Sequence, residues 1–159
     1  MLWLRTLFFA LLIPGTVLGL VPACLLRRGW AHGVELGDWR YAGLPVLIVG
    51  LALMAWCVLD FGLRGRGTPA PIDPPKRLVL SGPYEWVRNP MYVGAGLVLL
   101  GEAVFWEAPR LLVYLTSFAV ATHLFVVCYE EPALRRKFGE EYRRYCERVS
   151  RWIPHRSRL

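Results

Sequence analysis

Three stretches of this chain carry no charged side chain over lengths that a folded soluble surface rarely tolerates. Thr6 to Leu26 gives 21 such residues, Tyr41 to Leu59 gives 19 and Leu111 to Tyr129 gives 19. A helix rising about 1.5 Å per residue needs ~20 residues to cross ~30 Å of hydrocarbon, so each stretch is sized for a membrane span. A soluble helical bundle is the competing reading, but its helices need polar faces that these stretches lack. A fourth apolar stretch, Met91 to Trp106, is shorter and contains Glu102. It suits a thin bilayer or one tilted half of a hairpin. The sequence therefore predicts an all-α polytopic membrane bundle of four transmembrane helices, forming one domain over residues 1–159.

The first stretch reads as a retained span and not as a signal peptide, because its apolar core exceeds the usual h-region and membrane helices tolerate Pro14 and Pro22. Cys24, Cys57, Cys128 and Cys146 form no CxxC, which leaves free, buried thiols as the plain reading. The net charge of +7 is concentrated beside the apolar stretches: residues 64–88 hold five basic side chains and residues 135–158 hold nine. No nucleic-acid-binding motif accompanies them, and both segments read as positive-inside regions of a multi-pass cell-membrane protein. Both termini are then cytoplasmic. Arg27 and Arg28 fall on the outer side in that topology and count against it.

Gly62, Gly65 and Gly67, followed by four prolines between Pro69 and Pro75, end the second stretch in an extended loop. Pro90 suits the first turn of the third helix. Trp106-Glu-Ala-Pro109 marks a tight reversal, so the third and fourth spans form an antiparallel hairpin. Glu130-Glu-Pro132 then opens a terminal helix, with acids at its positive end and proline in its first turn. Leu134, Phe138, Tyr142, Tyr145 and Val149 recur at helical spacing and define the apolar stripe of an amphipathic helix.

Polar residues crowd Tyr84 to Tyr92 and Tyr129 to Arg144, two segments that the hairpin brings to the same side of the membrane. Arg88, Asn89, Tyr92, Glu130 and Glu131 are the candidates for a shared pocket. Each also has a plainer reading: Arg88 as a positive-inside anchor, Tyr92 as an interfacial aromatic, Glu130 and Glu131 as first-turn acids. Gly94, Gly96 and Gly101 equally suit close helix packing. His123, inside the fourth span, is either functional or a hydrogen-bonded helix contact. The sequence has no zinc signature, P-loop or GxGxxG, and its three histidines are too scattered to propose a metal.

Leu80-Ser-Gly-Pro-Tyr-Glu-Trp-Val-Arg-Asn-Pro-Met-Tyr-Val-Gly94, taken with Glu130-Glu-Pro-Ala-Leu-Arg-Arg-Lys-Phe-Gly-Glu-Glu-Tyr-Arg-Arg-Tyr145 and Val149-Ser-Arg-Trp-Ile-Pro154, resembles the isoprenylcysteine carboxyl methyltransferase and phospholipid methyltransferase group of membrane enzymes. The resemblance implies S-adenosylmethionine-dependent methylation of a lipophilic membrane substrate, a lipid or a prenylated small molecule, with the cofactor on the cytoplasmic side. It implies that Arg88, Pro90 and Tyr92 match an Arg-His-Pro-x-Tyr pattern, Gly94 and Gly96 a Gly-x-Gly, Glu130 and Glu131 a glutamate pair, and Tyr142 and Tyr145 two tyrosines of the terminal helix. Asn89 stands where the isoprenylcysteine enzymes carry histidine and cannot be protonated.

The implied cofactor carries an ammonium and a carboxylate. A glutamate suits the first and Arg88 the second, more strongly in a semi-dry pocket than in water. Cofactor-binding candidates are thus Arg88, Asn89, Tyr92, Gly94, Gly96, Glu130, Glu131, Tyr142 and Tyr145; Arg88, Glu131 and Arg144 are the catalytic candidates. A carboxylate acceptor needs a cation such as Arg88, Arg143 or Arg144 for orientation, whereas an amine must lose a proton, for which a glutamate is the natural recipient. Carboxyl methylation of an isoprenylcysteine-like compound is the first expectation, ahead of N- or S-methylation of a phospholipid or another small amphiphile. In a non-catalytic structural or transport protein, the same charged residues would pair with one another or with lipid headgroups.

Overall fold

A computed structural model describes residues 12, 14–31, 33–60 and 78–154. The N-terminal part of the first apolar stretch, the glycine- and proline-rich loop and His155 lie outside the described residues. Every regular element described is helical, and the only strand-like contact among these residues is an isolated parallel bridge between Val87 and Ser150.

The first helix, α1, runs through Gly15–Leu20, Val21–Leu25 and Leu26–Trp30. Helix α2 spans Gly43–Asp60 after a 3-10 turn at Gly37–Ala42, and α3 spans Pro90–Phe105 after a 3-10 turn at Gly82–Glu85. Helix α4, Leu111–Phe125, continues through a widened turn at Val126–Glu130 into α5, Glu131–Arg148. Widened turns precede both Pro22 and Pro132. At each, a backbone N–H reaches the carbonyl five residues back, from Val21 to Thr16 and from Glu131 to Val126. The following proline has no N–H and crowds the carbonyl four residues before it, so opening the helix relieves the clash.

Among the described residues two helical segments are long and apolar enough to cross a membrane, Gly37–Asp60 and Leu111–Arg148, the apolar part of the latter lying in α4. Pro90–Phe105 is apolar but shorter. The spanning helices present Ile48, Val49 and Leu59 on one side and Val113, Val120 and Leu124 on another, each more than half exposed. Such surfaces in water would be a large aggregation-prone patch; against lipid they are the solvated side.

Packing is tightest between antiparallel α2 and α3. Gly50 faces Gly94, and Gly43 faces Gly101; a Cβ at Gly50 would stand 2.6 Å from the Gly94 carbonyl oxygen. Glycines spaced by seven on both helices thus create a continuous backbone-to-backbone seam. The α3–α4 reversal follows the expected tight turn, with Glu107 at a positive φ of 52°. Its carbonyl accepts from Gly33 N at 2.8 Å and its carboxylate from Leu36 N at 2.8 Å, which ties the link after α1 to this turn.

The stripe expected on α5 is the face that packs: Tyr142, Tyr145 and Val149 are buried with Leu78, Leu134, Phe138 and Cys146 around them. Gly139 interrupts that helix at φ 53°, ψ −122°, a conformation closed to residues with a Cβ. Tyr145 Oη donates to the Tyr84 carbonyl at 2.7 Å in a buried contact, docking α5 on the turn before α3. Tyr145→Phe is expected to cost about 1–2 kcal/mol in a detergent thermal melt, because the carbonyl stays buried without its donor. The expectation of buried thiols holds for Cys57 alone; Cys24 and Cys128 are exposed on apolar helix surfaces and Cys146 is partly buried, all four being free.

Candidate functional site

Three segments meet at one end of the α3–α4 hairpin: the approach to α3, the α4–α5 junction and the strap that follows α5. Asp60, buried at the end of α2, accepts from Ser81 Oγ at 2.8 Å and fixes the turn at Gly82, whose φ of 61° needs glycine. From that turn the chain runs to Val87 and Arg88, where Arg88 N donates to the Ser150 carbonyl at 2.9 Å. Asn89 is buried, and its Nδ2 donates to the Arg151 carbonyl at 3.2 Å. One backbone and one side-chain bond, both accepted by strap carbonyls, thus hold the strap against the start of α3.

Glu131 is the centre of the cluster. Its side chain is 6% exposed, Arg88 Nη1 approaches it at 3.0 Å, and Arg151 grips both oxygens at 2.7 and 3.0 Å. Burial alone would raise its pKa. The Arg151 hydrogen bonds and the charges of Arg88, Arg151 and Arg135 outweigh that cost and hold the carboxyl below its usual range. Glu130, one residue earlier and so about 100° around the helix, turns to Tyr92, whose hydroxyl donates to it at 3.3 Å. Its carboxyl moves the other way, pushed up by burial and by the adjacent Glu131 charge against the Tyr92 bond. Two neighbouring carboxylates therefore have opposite proton affinities, the separation expected of groups with different tasks.

Arg88 also donates to Cys146 Sγ at 2.8 Å, while its Nε–H is buried with no partner among the described residues. An orphaned guanidinium donor beside a carboxylate cluster is an unmet demand for an anion. Tyr142 is buried against Cys146, Glu131 and Arg88, and burial keeps its phenol protonated.

Arg88, Asn89, Tyr92, Glu130, Glu131 and Tyr142 thus come together as the sequence suggested. Gly94 instead fills the α2 seam, where a Cβ would meet Met54 Cγ at 2.8 Å, and Gly96 faces Leu115 of α4. Tyr145 is one layer beneath, bonded to Tyr84. Arg144 departs furthest from the expectation: it is 69% exposed and pairs with Glu140 at 3.3 Å on the wet face of α5. Helical geometry explains this, since Tyr142 and Tyr145 fix the buried face and Arg144 falls away from it. Arg144→Ala is expected to leave cofactor affinity unchanged in a calorimetric titration.

Arg151, Trp152 and Cys146 also contact this cluster, beyond the residues the sequence nominates. Arg151 was one of nine basic residues read together as surface charge, although it sits within the Val149–Pro154 motif. Trp152 Nε1 donates to His123 Nδ1 at 3.1 Å, and its ring lies 6.4 Å from that of Tyr92. Among the described residues no group of His, Cys, Asp and Glu side chains could hold a metal ion.

A helical membrane protein with a buried arginine–glutamate cluster at the end of a helix hairpin is the class that fold and site define. The chain matches the phospholipid methyltransferase family over residues 39–141 and belongs to it. It is 37% identical over 76 residues to methanethiol S-methyltransferase 1 of Bradyrhizobium diazoefficiens, covering 46% of this chain and 25% of that protein. It is also 33% identical over 63 residues to an uncharacterized protein of Haemophilus influenzae, covering 40% of this chain and all of that protein. The chain thus spans about a quarter of the length of the methanethiol enzyme.

Proposed function

We propose that this protein transfers the methyl group of S-adenosylmethionine to a lipophilic nucleophile dissolved in the membrane, and that the nucleophile is a thiol. The observation that carries the reading is Glu131 held between Arg88 and Arg151, with the Arg88 Nε–H left without an acceptor. This donor set fits an amino-acid zwitterion: Arg88 takes the carboxylate, and Glu131 takes the ammonium. Bound there, the cofactor supplies an electrophilic methyl on a positively charged sulfur.

The chain's part is to position the acceptor and accept its proton. With the cofactor held by Arg88 and Glu131, its sulfonium would serve as the leaving group, keeping the bonding electron pair as the acceptor takes the methyl. A thiol or an amine must also release a proton, and Glu130, with its raised proton affinity, receives it. A neutral acceptor avoids placing a further carboxylate beside Glu130 and Glu131. The name of the methanethiol relative adds support for sulfur. Carboxyl methylation of an isoprenylcysteine-like compound is the second reading, favoured by the free donor on Arg88, which would then orient the acceptor.

In this reading α1 and α3 are spans beside the pair long enough by themselves, the cluster lies at the inner membrane face and both termini are cytoplasmic, which the basic residues flanking the apolar stretches support. Calorimetric titration of detergent-purified protein with S-adenosylmethionine tests the assignment. Saturable binding below millimolar ligand supports it. A well-folded protein that binds neither the cofactor nor its demethylated product up to millimolar concentration overturns it.

A further inference from the structure

The contact between Trp152 and His123 belongs to no ion cluster, and His123 lies outside every segment that carries the family resemblance. His123 lies in α4 eight residues before Glu131, about 12 Å further into the apolar helix. Its ring is exposed on a surface otherwise made of residues such as Val120 and Leu124. A bare imidazole facing hydrocarbon is costly, and intramembrane polar groups that persist have a partner or a task. The partner is Trp152, which leaves the strap at the residue after Arg151. Arg151 turns to Glu131, while Trp152 reaches along α4 in the apolar direction to His123.

The geometry fixes what His123 can do. Nδ1 accepts the indole N–H at 3.1 Å, so the neutral ring carries its proton on Nε2 and has no free lone pair. It cannot take an acceptor's proton while it holds Trp152. Its service is to hold the indole, whose ring centroid lies 6.0 Å from the imidazole and 6.4 Å from Tyr92. Tyr92 in turn donates to Glu130, the proton recipient. One continuous wall, His123–Trp152–Tyr92–Glu130, therefore leads from the lipid-facing surface of α4 to the carboxylate pair.

We propose that Trp152, held by His123 and packed beside Tyr92, forms the wall of the methyl-acceptor subsite and selects an apolar acceptor arriving from the bilayer. His123 is a positioning residue. This rests on the methyl-transfer reading above, with the ionic cluster as the cofactor end. An aromatic wall opening toward lipid suits a linear alkyl chain that carries its nucleophile at one end. It offers no charged group to a polar, water-borne acceptor.

The test uses full-length protein in detergent, S-adenosylmethionine with a labelled methyl group, and 1-alkanethiols from methanethiol to decanethiol. Thermal melts with 1-octanethiol, in the presence of the demethylated cofactor, provide a readout independent of turnover. His123→Leu and Trp152→Ala are expected to raise the alkanethiol KM ~10-fold and to flatten its dependence on chain length. Cofactor affinity by calorimetry should stay at the wild-type value. His123→Asn, which keeps an acceptor near the Nδ1 position, should recover most of the loss. An alkanethiol KM that does not move in either variant overturns the subsite, as does cofactor affinity falling in step with it. So does a wild-type protein that binds cofactor but is neither stabilised by an alkanethiol nor able to methylate one. Wild-type protein that binds no cofactor overturns the methyl-transfer reading itself, a result distinguishable from the others.

Discussion

Glu131→Gln is expected to weaken S-adenosylmethionine binding by roughly 2–5 kcal/mol, ~30-fold or more, and to lower the stability of the unliganded protein as well. The substitution keeps shape and removes one negative charge from between two guanidinium groups. Arg88, largely buried, would then stand beside Arg151 with nothing to neutralise either. Breaking a buried pair from one side costs roughly 3–5 kcal/mol. The low end applies here, since the Arg151 side chain is 31% exposed and water can take up part of its charge. Calorimetric titration measures the first effect and thermal unfolding in detergent the second.

The pH dependence of that variant follows from the direction of the shift. Glu131 in the folded protein loses its proton below the ordinary value near 4.5, so its contribution to stability is complete above that value. It disappears as pH falls through the lowered folded value. Glu130 has the opposite sign: its raised proton affinity stabilises the fold below the ordinary value and that contribution is lost as pH rises through the raised one. Wild-type protein should therefore show an acid-side loss of stability that Glu131→Gln lacks. A wild-type profile flat from pH 5 to well below the ordinary carboxylate range would contradict the ion cluster, on the same scale of ~1.4 kcal/mol per pKa unit.

The helical class and the polar convergence were legible in the sequence because both follow from local rules. Charge-free length identifies a helix that must sit in lipid, Arg88-Asn-Pro90 is a helix start, and Glu130-Glu-Pro132, expected to open a new helix, marks instead the widened turn through which α4 continues into α5. The stripe on α5 was legible for the same reason, down to Val149. Arg151 was not, because its partner is 20 residues away and its own segment has no periodicity to orient a side chain. Positive-inside reasoning absorbed it into the basic segment 135–158, in which only Arg143 and Arg144 stand out as candidates. Arg144 was misplaced for a related reason: charge type alone nominated it, while the helical phase set by Tyr142 and Tyr145 already directed it outward.

The glycines illustrate a different limit. Gly94 and Gly96 form one Gly-x-Gly, and a resemblance assigns both to the cofactor, yet they lie on different sides of α3. Only the position of α2 distinguishes them, and nothing local in the α3 sequence records that position. Gly50, Gly43 and Gly101 acquire their meaning as a set, since the seven-residue spacing on α2 equals that on α3 and the antiparallel packing pairs Gly43 with Gly101 and Gly50 with Gly94.

Gly50→Leu is accordingly expected to have the largest effect of any change outside the ionic cluster. The new Cβ would lie 2.6 Å from the Gly94 carbonyl oxygen and 2.8 Å from Val98 N, both backbone atoms that no rotamer change can move. The helices must separate, stripping contact from Met54, Ala95, Val98 and Leu99 in the core beside the seam. A loss of about 3 kcal/mol in a detergent thermal melt is the expected size, at the upper end for overpacking. Gly96→Leu is the comparison, because a Cβ there meets only Leu115 Cδ1, at an ordinary 3.8 Å. Separation of α2 from α3 also displaces Asp60 from Ser81 and with it the turn that aims Arg88 at Glu131, so cofactor affinity should fall along with stability in Gly50→Leu. A Gly50→Leu protein that melts with the wild type and binds cofactor equally well would mean that α2 does not set the position of α3.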